Sequence, residues 1–174
     1  MKFRTGILAL AAAGVIAASA GAAQSAFSPK AIAGSWKGTW TNERFGSTGP
    51  ASIVAKSLVK NTKLLFTADF GGNVFACADP PAESSKPLTK GNGAGHWNAK
   101  GFTIKGASKA FGALKLTYVA ATGMLTGAGG NPPCATGLSW SISGRFSGKT
   151  FTGKVNITLP DKTTAVSDIA LTRA

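Results

Sequence analysis

The clearest alternation of apolar and polar residues near the start of the chain lies in residues 34–42. Trp36, Gly38 and Trp40 occupy every second position there, and the positions between them carry serine, lysine and threonine. Because successive side chains of a β-strand point to opposite faces, this segment is predicted to be a strand with one apolar face.

The same period of two returns along the rest of the chain, and it is most regular near the end. In residues 138–146 the apolar side chains of Leu138, Trp140 and Ile142 alternate with serines. Glycine, proline and polar clusters separate the alternating segments, as is typical of hairpin turns. The predicted strands are 34–42, 52–59, 64–70, 73–77, segments on either side of turns near 98–101, 120–123 and 147–150, and 163–172.

About eight to ten strands of ordinary length are therefore expected, and no convincing helical period follows residue 26. The short connections leave no room for crossover helices, so the fold class is all-β, either an antiparallel up-and-down barrel or a β-sandwich. The barrel is the preferred prediction, because pairing the last strand with the first removes the exposed edges of long strands.

Residues 1–26 have the features of a secretory signal peptide. Lys2 and Arg4 precede an apolar run over residues 6–18, and small residues with A-x-A spacing follow it. The run is too short for a typical membrane-spanning helix, which needs about 20 apolar residues. We therefore predict an exported, periplasmic or secreted protein, with residues 27–174 forming a single barrel domain.

The two cysteines, Cys77 and Cys134, each lie close to a pair of prolines, where strands are expected to give way to loops. Because an exported protein meets an oxidising environment, a Cys77–Cys134 disulfide that ties two loops together is predicted. Two buried free thiols or a metal pair are the alternatives. The longest loop, residues 79–95, is a candidate lid.

The composition is strongly basic, with a formal net charge of +13 for the whole chain. A charge of this size attracts anionic partners over long distances, so anionic lipid or an anionic wall polymer is a possible partner. Nucleic acid is not expected, because an exported protein meets envelope polyanions first. The alternative is that the basic residues are ordinary solvated positions that keep the protein soluble.

No constellation of residues predicts an enzyme. His96 is the sole histidine, is expected in a loop, and has no evident acid to orient it. No G-x-S-x-G motif and no close pair of acidic residues occurs, so the sequence predicts no catalytic residue, no metal site and no cofactor. A small outer-membrane barrel is a further alternative, although a C-terminal aromatic residue and aromatic girdles are missing.

The start of the predicted domain resembles a known group of barrels. Gly-Ser-Trp at 34–36 resembles the G-x-W signature of lipocalins, and residues 38–42 followed by Gly46 and Ser47 resemble the opening strand of avidins. Both families are calycins, a group of antiparallel barrels that hold ligands. In calycins a basic residue near the chain end packs over the first-strand tryptophan, so the resemblance implies a cation-π contact between Arg173 and Trp36.

A calycin-like barrel holds a small, apolar or amphipathic ligand between aromatic walls, with a few polar groups that orient it. The resemblance to avidins implies that Asn42 and Ser47 supply polar contacts, although the spacing from Asn42 to Gly46 is longer by one residue and biotin is not predicted. The tryptophans are candidate walls, and the alternative is that they fill the core. The candidate ligand-binding residues are Trp36, Trp40, Asn42, Ser47, Trp97 and Trp140.

Overall fold

The computed structural model describes residues 26–174, so the predicted signal peptide lies outside the described residues except for Ala26. A short 3₁₀ turn, Pro29–Ala31, precedes fourteen strands. These are β1 (Gly34–Asn42), β2 (Ser47–Leu58), β3 (Lys63–Phe70), β4 (Asn73–Val74), β5 (Cys77–Ala78), β6 (Glu83–Ser84), β7 (Leu88–Lys90), β8 (His96–Asn98), β9 (Gly101–Ser108), β10 (Gly112–Val119), β11 (Met124–Gly130), β12 (Ser139–Ser147), β13 (Thr150–Thr158) and β14 (Thr164–Arg173).

Eleven of these strands form a closed barrel. From β1 the neighbours run β14, β13, β12, β11, β10, β9, β8, β7, β3 and β2, and β2 pairs with β1 again. All pairings in this ring are antiparallel except the one between β7 and β8. The predicted all-β, mostly antiparallel up-and-down barrel is therefore confirmed, and the sandwich is not formed.

The barrel interior is apolar and its outer face is polar. In β12, Trp140 and Gly144 are buried, whereas Ser139, Ser141 and Arg145 are exposed. Within residues 26–174, we find no helix with the length and apolar character needed to cross a membrane.

The first hairpin differs from the prediction, because the predicted strands 34–42 and 52–59 leave a long turn between them and the observed turn is much shorter. Strand β2 already begins at Ser47, and Pro50 lies within it, opposite Thr39 of β1. The pairing of β2 with β3 begins only at Ala51, so the missing N–H of Pro50 interrupts no ladder on that side. Pro50, a residue type that usually indicates a turn, thus lies in the part of β2 that extends beyond its pairing with β3.

The predicted strand over 73–77 is instead a two-stranded hairpin. Phe75 and Ala76 form its turn, with φ values of +50° and +63°. Two consecutive left-handed residues form the kind of tight turn that matches strand twist, although it normally favours Asn or Gly. The following segment, residues 79–95, contains the short strands β6 and β7 rather than one loop.

One end of the barrel, which we call the closed end, is sealed around Trp36. The Trp36 indole N–H donates to the Ile32 carbonyl (3.0 Å), and Phe146 meets the Trp36 ring edge-on, with centroids 5.0 Å apart. The Arg173 guanidinium lies 5.5 Å from the Trp36 ring centroid, which is the contact that the calycin resemblance implied. A Cβ at Gly34 would come within 2.7 Å of Arg173 Nε, so glycine leaves the space for this stack.

Beside this stack, a second group of aromatic residues fills the closed end. Phe27 packs against Trp97, Phe102 and Tyr118, with ring centroids 5.5–6.2 Å apart. The Phe27 N–H donates to the Ala99 carbonyl, which fixes the incoming chain across this end of the barrel. Burial raises the pKa of the Tyr118 hydroxyl above its usual value.

Replacing Arg173 with alanine is expected to lower the free energy of unfolding by about 1–2 kcal/mol. The substitution removes the cation-π contact and the hydrogen bonds that the guanidinium donates to the carbonyls of Ala31 and Ala33. Arg145→Ala, at an exposed position of β12, is the matched control and should change stability by less than about 0.5 kcal/mol. Urea unfolding followed by tryptophan fluorescence checks both variants. Equal stability losses would contradict a specific role for Arg173.

Candidate functional site

A cavity of about 1070 Å³ occupies the rest of the barrel, between the closed end and the opposite, open end. Its walls are the inward positions of most strands, and they are predominantly apolar. A Cβ at Gly129 would lie 2.5 Å from the Trp140 ring, so glycine leaves the space that this wall residue occupies. The apolar wall includes Ile53, Phe66, Phe70, Ile104, Phe111, Leu114, Leu116, Leu125, Leu138, Ile142, Val155, Ile157 and Ile169.

Aromatic side chains gather where the cavity reaches the open end. Phe75 stacks on Trp140 with centroids 6.3 Å apart, and Phe111 meets Phe70, Phe75 and Trp140 edge-on at 5.3–6.0 Å. The indole N–H of Trp140 donates to the Phe111 carbonyl, and that of Trp40 donates to the Gly71 carbonyl. Because both N–H groups are already satisfied, these tryptophans present apolar ring surface to the cavity.

The hairpin of β4 and β5, residues 73–78, covers part of the open end, and we call it the mouth hairpin. Four of its residues, 73–76, line the cavity, and Val74 and Phe75 supply its apolar contacts. A disulfide joins Cys77 of the hairpin to Cys134 in the loop between β11 and β12. The predicted disulfide is thus confirmed, and it ties together two segments on different sides of the mouth.

A small polar group lies in the cavity wall near the first turn. The side chain of Asn42, which is 3% exposed, donates from Nδ2 to Ser167 Oγ (2.9 Å). Its Oδ1 accepts the backbone N–H of Phe45 at 3.1 Å, which closes the turn after β1. Ser47 lies opposite Asn42 in the β1–β2 pair and also lines the cavity. This group is where a polar atom of a ligand could be accommodated.

The barrel wall is incomplete on one side, between β3 and β9. Strands β7 and β8 have only three residues each, so they reach only the closed-end half of their longer neighbours. All five consecutive residues 104–108 of β9 line the cavity, as do residues 83–86. In a continuous wall only alternate residues face inward, so these runs mark the edges of an opening, which we call the side opening.

Charged side chains flank the side opening. Lys86 and Lys105 both border the cavity and are exposed, one on each edge. Glu83 of β6 bridges the gap, because its Oε1 accepts the backbone N–H of Ala110 at 3.0 Å. The side opening therefore joins an apolar interior to a polar rim.

The six predicted ligand-binding residues fall into two groups. Trp40, Asn42, Ser47 and Trp140 line one cavity. Trp36 and Trp97 lie in the closed end instead, where the Trp97 N–H donates to the Thr62 carbonyl (3.2 Å). A ligand contact by any of the six remains a prediction. Phe70, Phe75 and Phe111 were not predicted from the sequence. The alternation in β9 and β10 could have identified Ile104, Leu114 and Leu116.

At the rim of the open end, Asp161 lies in the turn between β13 and β14. Hydrogen bonds from the Thr163 hydroxyl and amide hold the pKa of this carboxyl below its usual range, and the positive charge of Arg44 adds to the effect. Arg44 in turn donates to the Thr164 carbonyl. These contacts hold the turn between β1 and β2 against the turn between β13 and β14, beside the polar group of the cavity.

His96 differs from its prediction, because it begins strand β8 rather than lying in a loop. Its Nδ1 lies 3.1 Å from the Thr89 hydroxyl on the neighbouring strand. Among the described residues 26–174, no three His, Cys, Asp or Glu side chains are placed to hold a metal ion.

Comparison of the chain with protein-family models, with curated proteins and with solved structures finds no match. The closed all-β barrel is compatible with a calycin-like fold. The likeness to calycins therefore rests on the first strand, on the contact between Arg173 and Trp36, and on barrel closure.

Proposed function

We propose that this protein is an exported binding protein that holds a small apolar or amphipathic ligand inside its barrel. The observation that carries this proposal is the apolar cavity of about 1070 Å³, which is closed at the Trp36 end and reached through the open end and the side opening. Ligand cavities in proteins are typically about 300–1,000 Å³ and mostly apolar, with a few polar groups that orient the ligand.

The two polar features of the cavity favour an amphipathic ligand. The Asn42–Ser167 pair lies within the apolar wall, whereas Lys86 and Lys105 border the side opening. An elongated ligand would bury its apolar part against Leu116 and Ile142 and leave a polar or anionic group at the side opening. Burial of the apolar part would supply most of the affinity.

The distribution of polar residues argues against the outer-membrane alternative. Outer-membrane barrels carry an apolar band on the outside and a polar interior. Here the outward side chains of β13, among them Thr152, Lys154 and Asn156, are exposed and polar, while Val155 and Ile157 point inward and are buried. This arrangement suits a barrel whose apolar ligand is held inside.

The proposal is tested by mass spectrometry of the protein exported by its own host. Native and denatured spectra of the same sample are compared, and the neutral apolar dye N-phenyl-1-naphthylamine is then titrated into the protein. A small molecule present only in the native spectrum, displaced by the dye, is the expected result. A bare chain that also leaves the dye fluorescence unchanged would overturn the proposal. The denatured mass also locates the cleavage site predicted near residue 26.

A further inference from the structure

Charge is distributed unevenly between the two ends of the barrel. All six acidic side chains of the chain lie in its open-end half. Asp79 accepts the Gly72 amide beside the mouth hairpin, and Asp168 lies opposite Thr41, near the open end of β1. The others lie in the first and last turns, at the end of β3 and on β6. They are Glu43, Asp69, Asp79, Glu83, Asp161 and Asp168.

The closed end, in contrast, carries lysines without any acidic side chain between them. The register of the strands shows that they surround this end of the barrel. Lys63 lies opposite Thr89, beside Lys90, and Lys100 occupies the turn after β8. We call the group the basic face; its members are Lys30, Lys60, Lys63, Lys90, Lys100 and Lys149, and all of them are exposed.

Two further members, Lys149 and Lys30, lie beside the stack of Arg173 on Trp36. The Lys149 carbonyl accepts the backbone N–H of Arg173 at 2.7 Å. The Arg173 guanidinium donates to the carbonyl of Ala31, the residue after Lys30. Arg173 itself is turned onto the Trp36 ring, so the lysines carry the outward charge of the face.

Two exposed apolar side chains also lie at this end. Val59, at the tip of the β2–β3 hairpin, is 65% exposed, and Val119, beside the β10–β11 turn, is 40% exposed. Val59 has a φ of +47°, which is an unfavourable backbone conformation for a β-branched residue. Glycine would adopt this φ without steric cost, so a valine at this position does not serve to stabilise the fold.

We propose that the basic face docks the protein on a bilayer that contains anionic phospholipid, with Val59 entering the headgroup region. Lysine clusters gain affinity near an anionic lipid surface, and stable attachment usually needs an apolar anchor as well. The lysine cluster and the exposed Val59 side chain are both present at the closed end. Docking through this end would leave the mouth hairpin and the open end of the cavity facing away from the membrane.

The exposed valine favours a lipid surface over a soluble polyanion. A polyanionic wall polymer would engage the same lysines, but it would gain little from an apolar side chain at the tip of a turn. A membrane interface accepts such a side chain favourably. The effect of a Val59 substitution therefore distinguishes the two partners.

The test measures co-sedimentation with phosphatidylcholine vesicles that contain phosphatidylglycerol, and with vesicles of phosphatidylcholine alone. The variant K60E/K63E/K100E reverses three charges of the basic face. The matched control K109E/K115E/K162E makes the same change in net charge at exposed positions of the open-end half. We expect the first variant to bind the phosphatidylglycerol-containing vesicles at least about tenfold more weakly, and the control to lose much less affinity for them. Equal losses would show a general effect of net charge and overturn the proposal.

Val59→Gly supplies the second measurement. This variant keeps every lysine and should not destabilise the fold, because glycine adopts a positive φ without steric cost. Weaker vesicle binding with unchanged binding to dextran sulfate is the expected result. Unchanged vesicle binding would show that Val59 does not enter the bilayer, and binding to dextran sulfate alone would show that the bilayer is the wrong partner; either result overturns the proposal. Added salt should weaken the wild-type attachment, since it screens exposed charges.

Discussion

Replacing Gly106 with tryptophan should lower the affinity for N-phenyl-1-naphthylamine by about tenfold, equivalent to about 1.4 kcal/mol. Gly106 lines the cavity on β9, opposite Leu114. A Cβ built there meets no atom within 4 Å, and no positive φ restricts the position. The indole would therefore extend into the cavity beside the side opening and occupy space that the dye needs. Fluorescence titration measures the affinity.

The same substitution is expected to leave the barrel intact, because nothing has to move to admit the new side chain. Ala113→Trp is the matched control, since Ala113 lies on the neighbouring strand, is exposed and does not line the cavity. Ala68→Phe, on β3 at the far edge of the side opening, provides a second obstruction. Unchanged dye affinity in G106W and in A68F would show that the dye binds elsewhere.

The barrel itself could be predicted from the sequence because its walls obey a simple rule. In β12 and β13 every second residue is buried or half-buried, and the sequence shows the same period of two. Closure was predicted because it removes the exposed edges of long strands, and β14 does pair with β1. The short strands β6 and β7 escaped prediction because two or three residues are too few to show a period.

The candidate site was predicted only in part, and the reason is distance along a strand. Trp36 and Trp40 share one face of β1, which the sequence shows, but four residues span about 13 Å in a strand. One tryptophan therefore belongs to the sealed end and the other to the cavity. The side opening depends on β7 and β8 being shorter than β3 and β9, and no local sequence signal reports that mismatch.

Loss of the disulfide should have the largest effect on stability. The Cys77–Cys134 bond spans 57 residues of sequence, so it restricts the unfolded chain by about 4 kcal/mol in the entropic description, and losses of about 2–4 kcal/mol are typical. We expect C77S/C134S to lose stability in that range. Urea unfolding of the variant, and of the wild-type protein with and without reductant, measures it.

The same change should also affect access to the cavity. The mouth hairpin is joined through Cys77 to the loop between β11 and β12, and its Phe75 stacks on Trp140 in the cavity wall. Without the bond only packing and hydrogen bonds hold the hairpin, so stopped-flow displacement should show faster dye release from C77S/C134S and from the reduced wild type. Reductant should have no effect on the variant, which excludes an action of the reductant elsewhere. A loss of stability with unchanged dye release would mean that the hairpin does not control the mouth. The ligand would then exchange through the side opening between β3 and β9, and dye release should instead respond to A68F.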